Sequence, residues 1–380
     1  MRQECWNPET DNGFLMTPDP VSDISAIASG LPQNVSSTLE DIAGQLPALI
    51  KSGNLRAQMR ELEPYDVSAL GHESDFRIVE RAFQIYSHFA NAYVWCEEKN
   101  PEDHIPAGVA IPLVALSKMV DRPPIIPYAT TSLSNFRRKD TGVGILVENL
   151  ECIIKLVDIP DESWFHLIHI EIEAHAASAM RSCAKATAAI SNDDAKTVEI
   201  ELSAIPAAFE KMIVTFKRMY EGCSPDVYYY TLRPYLFGFD GIIYKRVDEY
   251  QELPQSFRGE TGAQSTVIPA LKEFLGLTHE KGGLTEHMEI MKAYMPTPHR
   301  EFLAGIDNGK IRNFVITQKS DTLTRQYNDC LKGLFDFRTL HFTMVNDYIA
   351  SKVRNPLGTG GTDFMQWLQK LRDETAEQYL

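Results

Sequence analysis

The chain lacks any stretch near the roughly 20 consecutive apolar residues that a membrane helix needs. Its most apolar run, Ile105–Leu116, is short and is broken by Pro106 and Pro112. Paired cysteines are also missing. The six cysteines, Cys5, Cys96, Cys152, Cys183, Cys223 and Cys330, are scattered with no Cys-x-x-Cys pair, and Met1–Leu15 carries no apolar leader core. A reduced, cytoplasmic setting is therefore expected. Positive charge is scarce: 37 Lys and Arg stand against 52 Asp and Glu, for a formal net charge of -15. Such a surface repels phosphate backbones and anionic headgroups, so neither nucleic acid nor a membrane is an expected partner. No Gly-x-Ser-x-Gly elbow and no His-Glu-x-x-His helix occurs, which removes the triad hydrolases and the zinc proteases. Internal repeats and low-complexity tracts are absent.

What remains is a chain of 380 residues, 44% of them hydrophobic, with a mean hydropathy of -0.23. That length exceeds one typical domain and predicts a two-part body with a large core. Residues 1–30, rich in Pro, Asp, Ser and Asn, read as an irregular arm. Helical patterning starts at Ser37-Thr38-Leu39-Glu40, a capping-box entry, and runs to Ile50 before Gly53. Ser74–Cys96 reads as a long amphipathic helix through Ile78, Ala82, Ile85, Phe89 and Val94. Val109–Val120 follows, closed by Pro123-Pro124. Residues Asn149–Ile159 allow one short strand. Beyond them the pattern is helical: Trp164–Ala189, Asp194–Tyr220, the aromatic run Val227–Phe237, Gln264–Leu275, Ser320–Val353 as the longest, and Thr362–Tyr379. A small helical domain over 31–150 and a larger all-α domain over 151–380 are expected.

Four clusters could carry chemistry. His341 sits inside the buried stripe Leu334, Phe337, Leu340, Met344, Val345 and Tyr348. A buried imidazole needs a partner, which a metal or a backbone carbonyl can supply; for a lone histidine on an apolar face the carbonyl is the commoner answer. His166, His169, Glu171, Glu173 and His175 lie three or four apart on one helix and could seed a metal site, yet they lack the Glu-x-x-His signature of di-iron bundles. Asn355–Thr362, with the glycines of Gly358-Thr-Gly-Gly-Thr362, reads equally as a ligand loop or a hinge. Tyr229, Arg233 and Leu236 are spaced to face one cavity, where an arginine beside aromatics can fork-bind the carboxylate of a planar substrate. A surface ion pair is the competing reading.

Taken in order, these strings resemble the indoleamine 2,3-dioxygenases. The resemblance is carried by Pro123-Pro-Ile-Ile-Pro-Tyr128, Leu232-Arg-Pro-Tyr-Leu236, Phe257-Arg-Gly-Glu-Thr-Gly-Ala-Gln-Ser265, Tyr294-Met-Pro-Thr-Pro-His-Arg300, Leu340-His-Phe-Thr-Met-Val-Asn-Asp-Tyr-Ile349 and Gly358–Thr362. It spans roughly residue 30 to the C-terminus. It implies an all-α, two-domain fold with haem b between the domains and His341 as proximal iron ligand, with Arg338, Thr261 and Gly262 beside the haem. It further implies that Arg233 clamps the substrate carboxylate, that Thr359 closes over the substrate amine and a haem propionate, and that Tyr128, Phe165, Tyr228, Tyr229, Leu236, Thr261 and Gly262 bound the substrate.

The implied reaction inserts O2 across the pyrrole double bond of L-tryptophan or a related indole to give an N-formylkynurenine-type product. An electron donor keeping the haem ferrous is implied as well, and the expected state is a monomer. Two departures matter. Tyr228 and Tyr229 stand where the animal enzymes have phenylalanines. His169 stands where they have a distal serine, and is similar there to the histidine that bonds the indole N–H in tryptophan 2,3-dioxygenase. His169 is thus read as a substrate-orienting group. A haem monooxygenase (or dioxygenase) acting on a substituted indole, and a haem sensor or carrier without turnover, remain as rival readings.

Overall fold

The computed structural model of the protein describes residues 3–280, 282–306, 309–352 and 364–380. The expected loop Gly358–Thr362, with Thr359, lies outside the described residues. Helices dominate, as the all-α expectation requires. The first four are α1 (Gln33–Ser52), α2 (Leu55–Glu61), α3 (Phe76–Trp95) and α4 (Ala107–Val120). α3 is the centre of this group, and α1, α2 and α4 pack against it. It is the expected helix with an apolar stripe, but its polar side is covered as well, since all but Arg77 and Trp95 of its residues are buried. Its buried polar groups find partners outside the helix. Glu80 pairs with Arg122 and accepts from Trp6 Nε1, Arg81 pairs with Glu40 at 2.6 Å, and Gln84 Nε2 donates to the Thr130 carbonyl at 2.8 Å. Asn91 Nδ2 donates to the carbonyls of Tyr235 and Phe237 at 3.1 and 3.2 Å. Buried polar groups persist only when so paired.

Two helix boundaries differ from expectation. α1 begins at Gln33, after Pro32 and with no side-chain cap, so the Ser37 capping box is not formed; the Thr38 hydroxyl donates to the Asn34 carbonyl inside the helix. Gly53 ends α1 in the left-handed region at φ 73°, a conformation that glycine adopts without a Cβ penalty. Apart from a 3-10 turn at Glu4–Trp6 the N-terminal arm is irregular, yet it is packed: Trp6, Phe14, Leu15 and Met16 are all buried.

The larger helical group contains α5 (Pro160–Ile190), α6 (Ala195–Lys217), the short turns α7 (Met219–Gly222) and α8 (Pro225–Val227), α9 (Val267–Leu275), α10 (Gly283–Lys292), α11 (Thr297–Gly305), α12 (Lys310–Gln318), α13 (Asp321–Tyr348) and α14 (Met365–Ala376). α5, at 31 residues, exceeds the 28 of α13, which ends at Tyr348 rather than reaching Val353. A short loop folds α6 back along α5, α13 packs on α6, and α14 packs on α13. The turn before α5 is fixed by Glu162, whose carboxylate accepts from the amides of Leu156, Val157 and Asp158 at 2.6, 3.0 and 2.8 Å.

Strands are few and short: β1 (His104–Ile105), β2 (Arg137–Arg138), β3 (Leu150–Glu151), β4 (Phe239–Tyr244) and β5 (Gln255–Phe257). The allowed strand near 149–159 is β3, paired antiparallel with β2. β4 pairs antiparallel with β5 and parallel with β1, giving the order β1-β4-β5, with a register irregularity between Phe239 and Ile242. This hairpin delivers the segment 259–264 to the interior. There the Glu260 amide donates to the Leu236 carbonyl at 3.0 Å. A Cβ on Gly259 would collide with that same carbonyl and with the Gly238 amide, so the two backbones meet only because the position is glycine. No helix among the described residues is long and apolar enough to cross a membrane.

Candidate functional site

A cavity of about 420 Å³ opens between α5, the end of α6, α13 and the 260–269 segment, with α10 and α14 along its outer side. Its size is that of a site for a small molecule or cofactor. His169 and His341 both lie on its wall, with Phe165, Phe216 and Tyr228 among the aromatic groups around them.

His341 lies on the inner face of α13, one turn beyond Phe337. Phe216 stacks on Phe337 at 5.6 Å and approaches the His341 ring at 6.1 Å. Burial pushes the His341 imidazole down to about 4, and the nearby His169 ring and Arg338 guanidinium act in the same direction. The ring is therefore neutral at pH 7. A structural histidine in this chain looks different: His88 Nδ1 is 2.7 Å from the Gln84 carbonyl. His341 has no such bond among the described residues, and it borders the cavity. A neutral imidazole with an unengaged ring nitrogen is what a metal ligand requires.

His169 has a defined tautomer. Its Nδ1 is 2.7 Å from the Phe165 carbonyl, which can only accept, so Nδ1 carries the proton and donates it. Burial lowers its pKa and keeps the ring neutral. Nε2 is consequently a hydrogen-bond acceptor for whatever occupies the cavity. Phe165 lies 4.5 Å from His169 and 4.8 Å from Tyr228, at 30° to the latter ring. A planar molecule has aromatic faces to lie against here.

One turn after His169, Glu173 accepts from Tyr128 Oη at 3.0 Å and from Ser265 Oγ at 2.6 Å, while its second oxygen has no partner among the described residues. Burial raises its carboxyl to about 7 against the pull of both bonds. Glu260, also on the wall, is pushed up to about 7 by burial, with a hydrogen bond from Thr131 opposing. Arg338 lines the opposite side, its guanidinium pushed down to about 10 by burial. Thr261 and Gly262 lie on the wall, Thr261 Oγ1 accepting from the Ala263 amide.

Three expected site residues are not on this wall. Leu236 is fully buried in the core. Tyr229 packs against Tyr230 at 4.9 Å, and Arg233 lies between the rings of Tyr229 and Phe237 at 5.1 and 5.0 Å. The cause is the winding of the chain. Tyr228–Leu232 is a π-helical turn and Arg233–Leu236 a 3-10 turn, so the expectation of one regular helix over Val227–Phe237 fails. Each change of winding rotates the following side chains away from their 3.6-residue positions. Tyr228 reaches the cavity; Tyr229 does not.

The five-residue histidine and glutamate cluster of α5 does not converge. His175 pairs with Glu171 at 3.2 Å, and Glu171 also accepts from the Val147 amide and Thr215 Oγ1. Glu173 faces Tyr128 and Ser265 instead. Among the described residues, the group with metal-ligand spacing is Glu102, Asp103 and His104, of which only Asp103 is exposed and Glu102 is already ion-paired to Arg56 and Arg60. Sequence reading missed Glu260 and the Glu173 contact to Tyr128. Only Glu173 left a signal, its four-residue spacing from His169.

The family model "Indoleamine 2,3-dioxygenase" matches residues 4–378. The chain is 30% identical to indoleamine 2,3-dioxygenase 1 of Rattus norvegicus, over 89% of this chain and 88% of that one. It is 28% identical to indoleamine 2,3-dioxygenase 2 of Homo sapiens, over 99% and 95% respectively. It is also 26% identical to a 6-hydroxytryptophan 2,3-dioxygenase of Fusarium equiseti, over 93% of each chain. With a mostly helical body around an aromatic, histidine-walled cavity and a family match along nearly its whole length, the chain belongs to the indoleamine 2,3-dioxygenases, a family of haem-dependent oxidoreductases.

Proposed function

We propose that this chain adds both atoms of O2 across the pyrrole double bond of L-tryptophan or a close relative, yielding an N-formylkynurenine-type product. Haem b would sit between the 31–150 and 151–380 parts, held through His341. The observation that carries the reading is the pair of neutral histidines on one aromatic cavity. His341 has no hydrogen-bond partner among the described residues, and His169 is fixed as an acceptor.

When bound, the haem supplies the redox chemistry that activates dioxygen. The protein's own task is placement. His341 would hold the iron from α13, and the positive charge of Arg338 suits a haem carboxylate. His169 Nε2 would accept the indole N–H while Phe165 and Tyr228 offer ring faces, which limits the substrate to few orientations. Arg233, with Thr359, would hold the amino-acid end. Tyr128, Tyr229, Leu236, Thr261 and Gly262 would shape or brace the same pocket. The product is substrate plus O2 with no hydrogen gained or lost, so the pocket needs no net proton donor. An electron donor is needed only to keep the iron reduced.

Aerobic mixing of the reduced, haem-loaded protein with L-tryptophan under ¹⁸O2 tests this. Two labelled atoms in a kynurenine-absorbing product are expected; a single labelled atom points to a monooxygenase, and absence of turnover with every indole offered points to a sensor or carrier. A substituted indole is the second reading, favoured by the Tyr228 side chain on the wall and by the similarity to a 6-hydroxytryptophan enzyme. His169→Ala should weaken binding of an N–H indole about fivefold to tenfold, the worth of one hydrogen bond. Its N-methyl analogue should be nearly unaffected. Equal losses for both in a binding titration would remove His169 from this role.

A further inference from the structure

Behind Arg338 lies a hydrogen-bonded relay that none of the steps above uses. Arg338 Nη1 donates to the Leu371 carbonyl at 2.7 Å and to Thr375 Oγ1 at 2.5 Å, both on α14. Nη2 lies 3.5 Å from His279 Nε2, and His279 Nδ1 is 2.5 Å from Glu374 Oε2. Arginine has donors only, so His279 Nε2 is the acceptor and the ring proton sits on Nδ1, directed at Glu374. Donation therefore runs one way, from Arg338 through His279 to Glu374. The side chains of His279 and Glu374 are 7% and 15% exposed, so solvent screens this relay little.

A guanidinium buried this far is costly without a counter-charge. Glu374 supplies one at second hand, and its negative charge favours the charged form of Arg338. Lys272, the other near cation, lowers the pKa of His279 as Arg338 does, while Glu374 raises it. Replace the carboxylate by an amide, and His279 faces an uncharged partner that can donate as well as accept, so its tautomer is no longer fixed. A flipped ring would then turn an N–H toward the N–H groups of Arg338, donor against donor. Meanwhile Arg338 Nε has no acceptor among the described residues, although the residue lies on the cavity wall one turn before His341.

We propose that Glu374 is a positioning residue which, through His279, sets the Arg338 guanidinium to neutralise a carboxylate of haem held on His341. The inference rests on the haem reading above. It assigns a role to two residues that lie 95 positions apart in the chain and meet only in the fold.

The test is the rate at which the haem-loaded protein loses hemin to excess apomyoglobin. Glu374→Gln keeps the shape of the side chain and deletes its charge. It should speed hemin loss about tenfold, the usual scale for an outer partner of a bound metal group. In an Arg338→Gln background, the same change should add nothing. Equal acceleration in both backgrounds would make Glu374 a mere anchor of α14 and overturn the proposal, as would an unchanged rate in the single variant. If Glu374→Gln does not accumulate as folded protein, His279→Gln takes its place in the same cycle, where the same results support or overturn the role. A wild-type protein that takes up no hemin sinks the haem reading and this role together. A loaded wild type with an unaffected variant sinks only this role.

Discussion

His341→Ala is expected to purify nearly free of haem, with less than about a tenth of the wild-type Soret absorbance per chain, because it deletes the axial ligand that ties the iron to the protein. The fold should survive. His341 makes no hydrogen bond among the described residues and already borders open space, so its truncation strands no partner and leaves no sealed void. Its aromatic neighbours Phe216 and Phe337 remain stacked on each other without it. Helix content by circular dichroism and the urea midpoint of the haem-free protein should therefore stay close to wild type. A normal ferrous–carbonyl spectrum in the variant would refute the assignment. So would loss of haem accompanied by loss of helix, since the cause would then be unfolding.

The inner-face position of His341, though not its proposed role, was legible in the sequence because α13 is one-sided. Leu334, Phe337, Met344 and Tyr348 are buried on the stripe that contains it, and the helical period placed them there correctly. The same period says less at α3, where Glu80, Arg81, Gln84, His88 and Asn91 lie off the apolar stripe that it marks. They are buried because partners such as Arg122, Glu40, Thr130 and Tyr235 arrive from remote segments, and no local pattern encodes those meetings. Periodicity also assumes constant winding. The π-turn at Tyr228–Leu232 breaks that assumption at the arginine itself, which is why Tyr228, Tyr229 and Leu236 end in three different environments.

The β4–β5 hairpin went unseen for a related reason. Its strands are short, and β4 is completed by β1 from far upstream, so pairing rather than propensity defines it. Yet that hairpin carries Glu260, Thr261 and Gly262 onto the wall. The family motif over Phe257–Ser265 pointed to Thr261 and Gly262, while the physical pattern of the segment pointed to nothing. The relay from Arg338 to Glu374 has no sequence signature at all.

Arg233→Ala should lower kcat/KM for L-tryptophan about 30-fold to 100-fold, mainly through KM, the scale of a lost bidentate contact to a carboxylate. For indole without the amino-acid arm, the change should be under about threefold, since uniform binding is lost only where a carboxylate is present to bind. The structure makes this comparison of substrates essential. Arg233 is 4% exposed and is gripped between Tyr229 and Phe237, and Asn91 of α3 ties down the carbonyls on either side of Leu236. That grip pre-orients the guanidinium, which lowers the entropy lost on meeting a ligand. It equally makes the arginine a brace for the turn that holds Tyr228 on the wall. A brace and a clamp fail differently. Losing a brace lets Tyr228 and Phe165 shift, and every indole suffers, with or without a carboxylate. Losing a clamp penalises only the substrates that carry one. Equal losses for L-tryptophan and indole would therefore assign Arg233 to the scaffold, and the substrate carboxylate would need another partner.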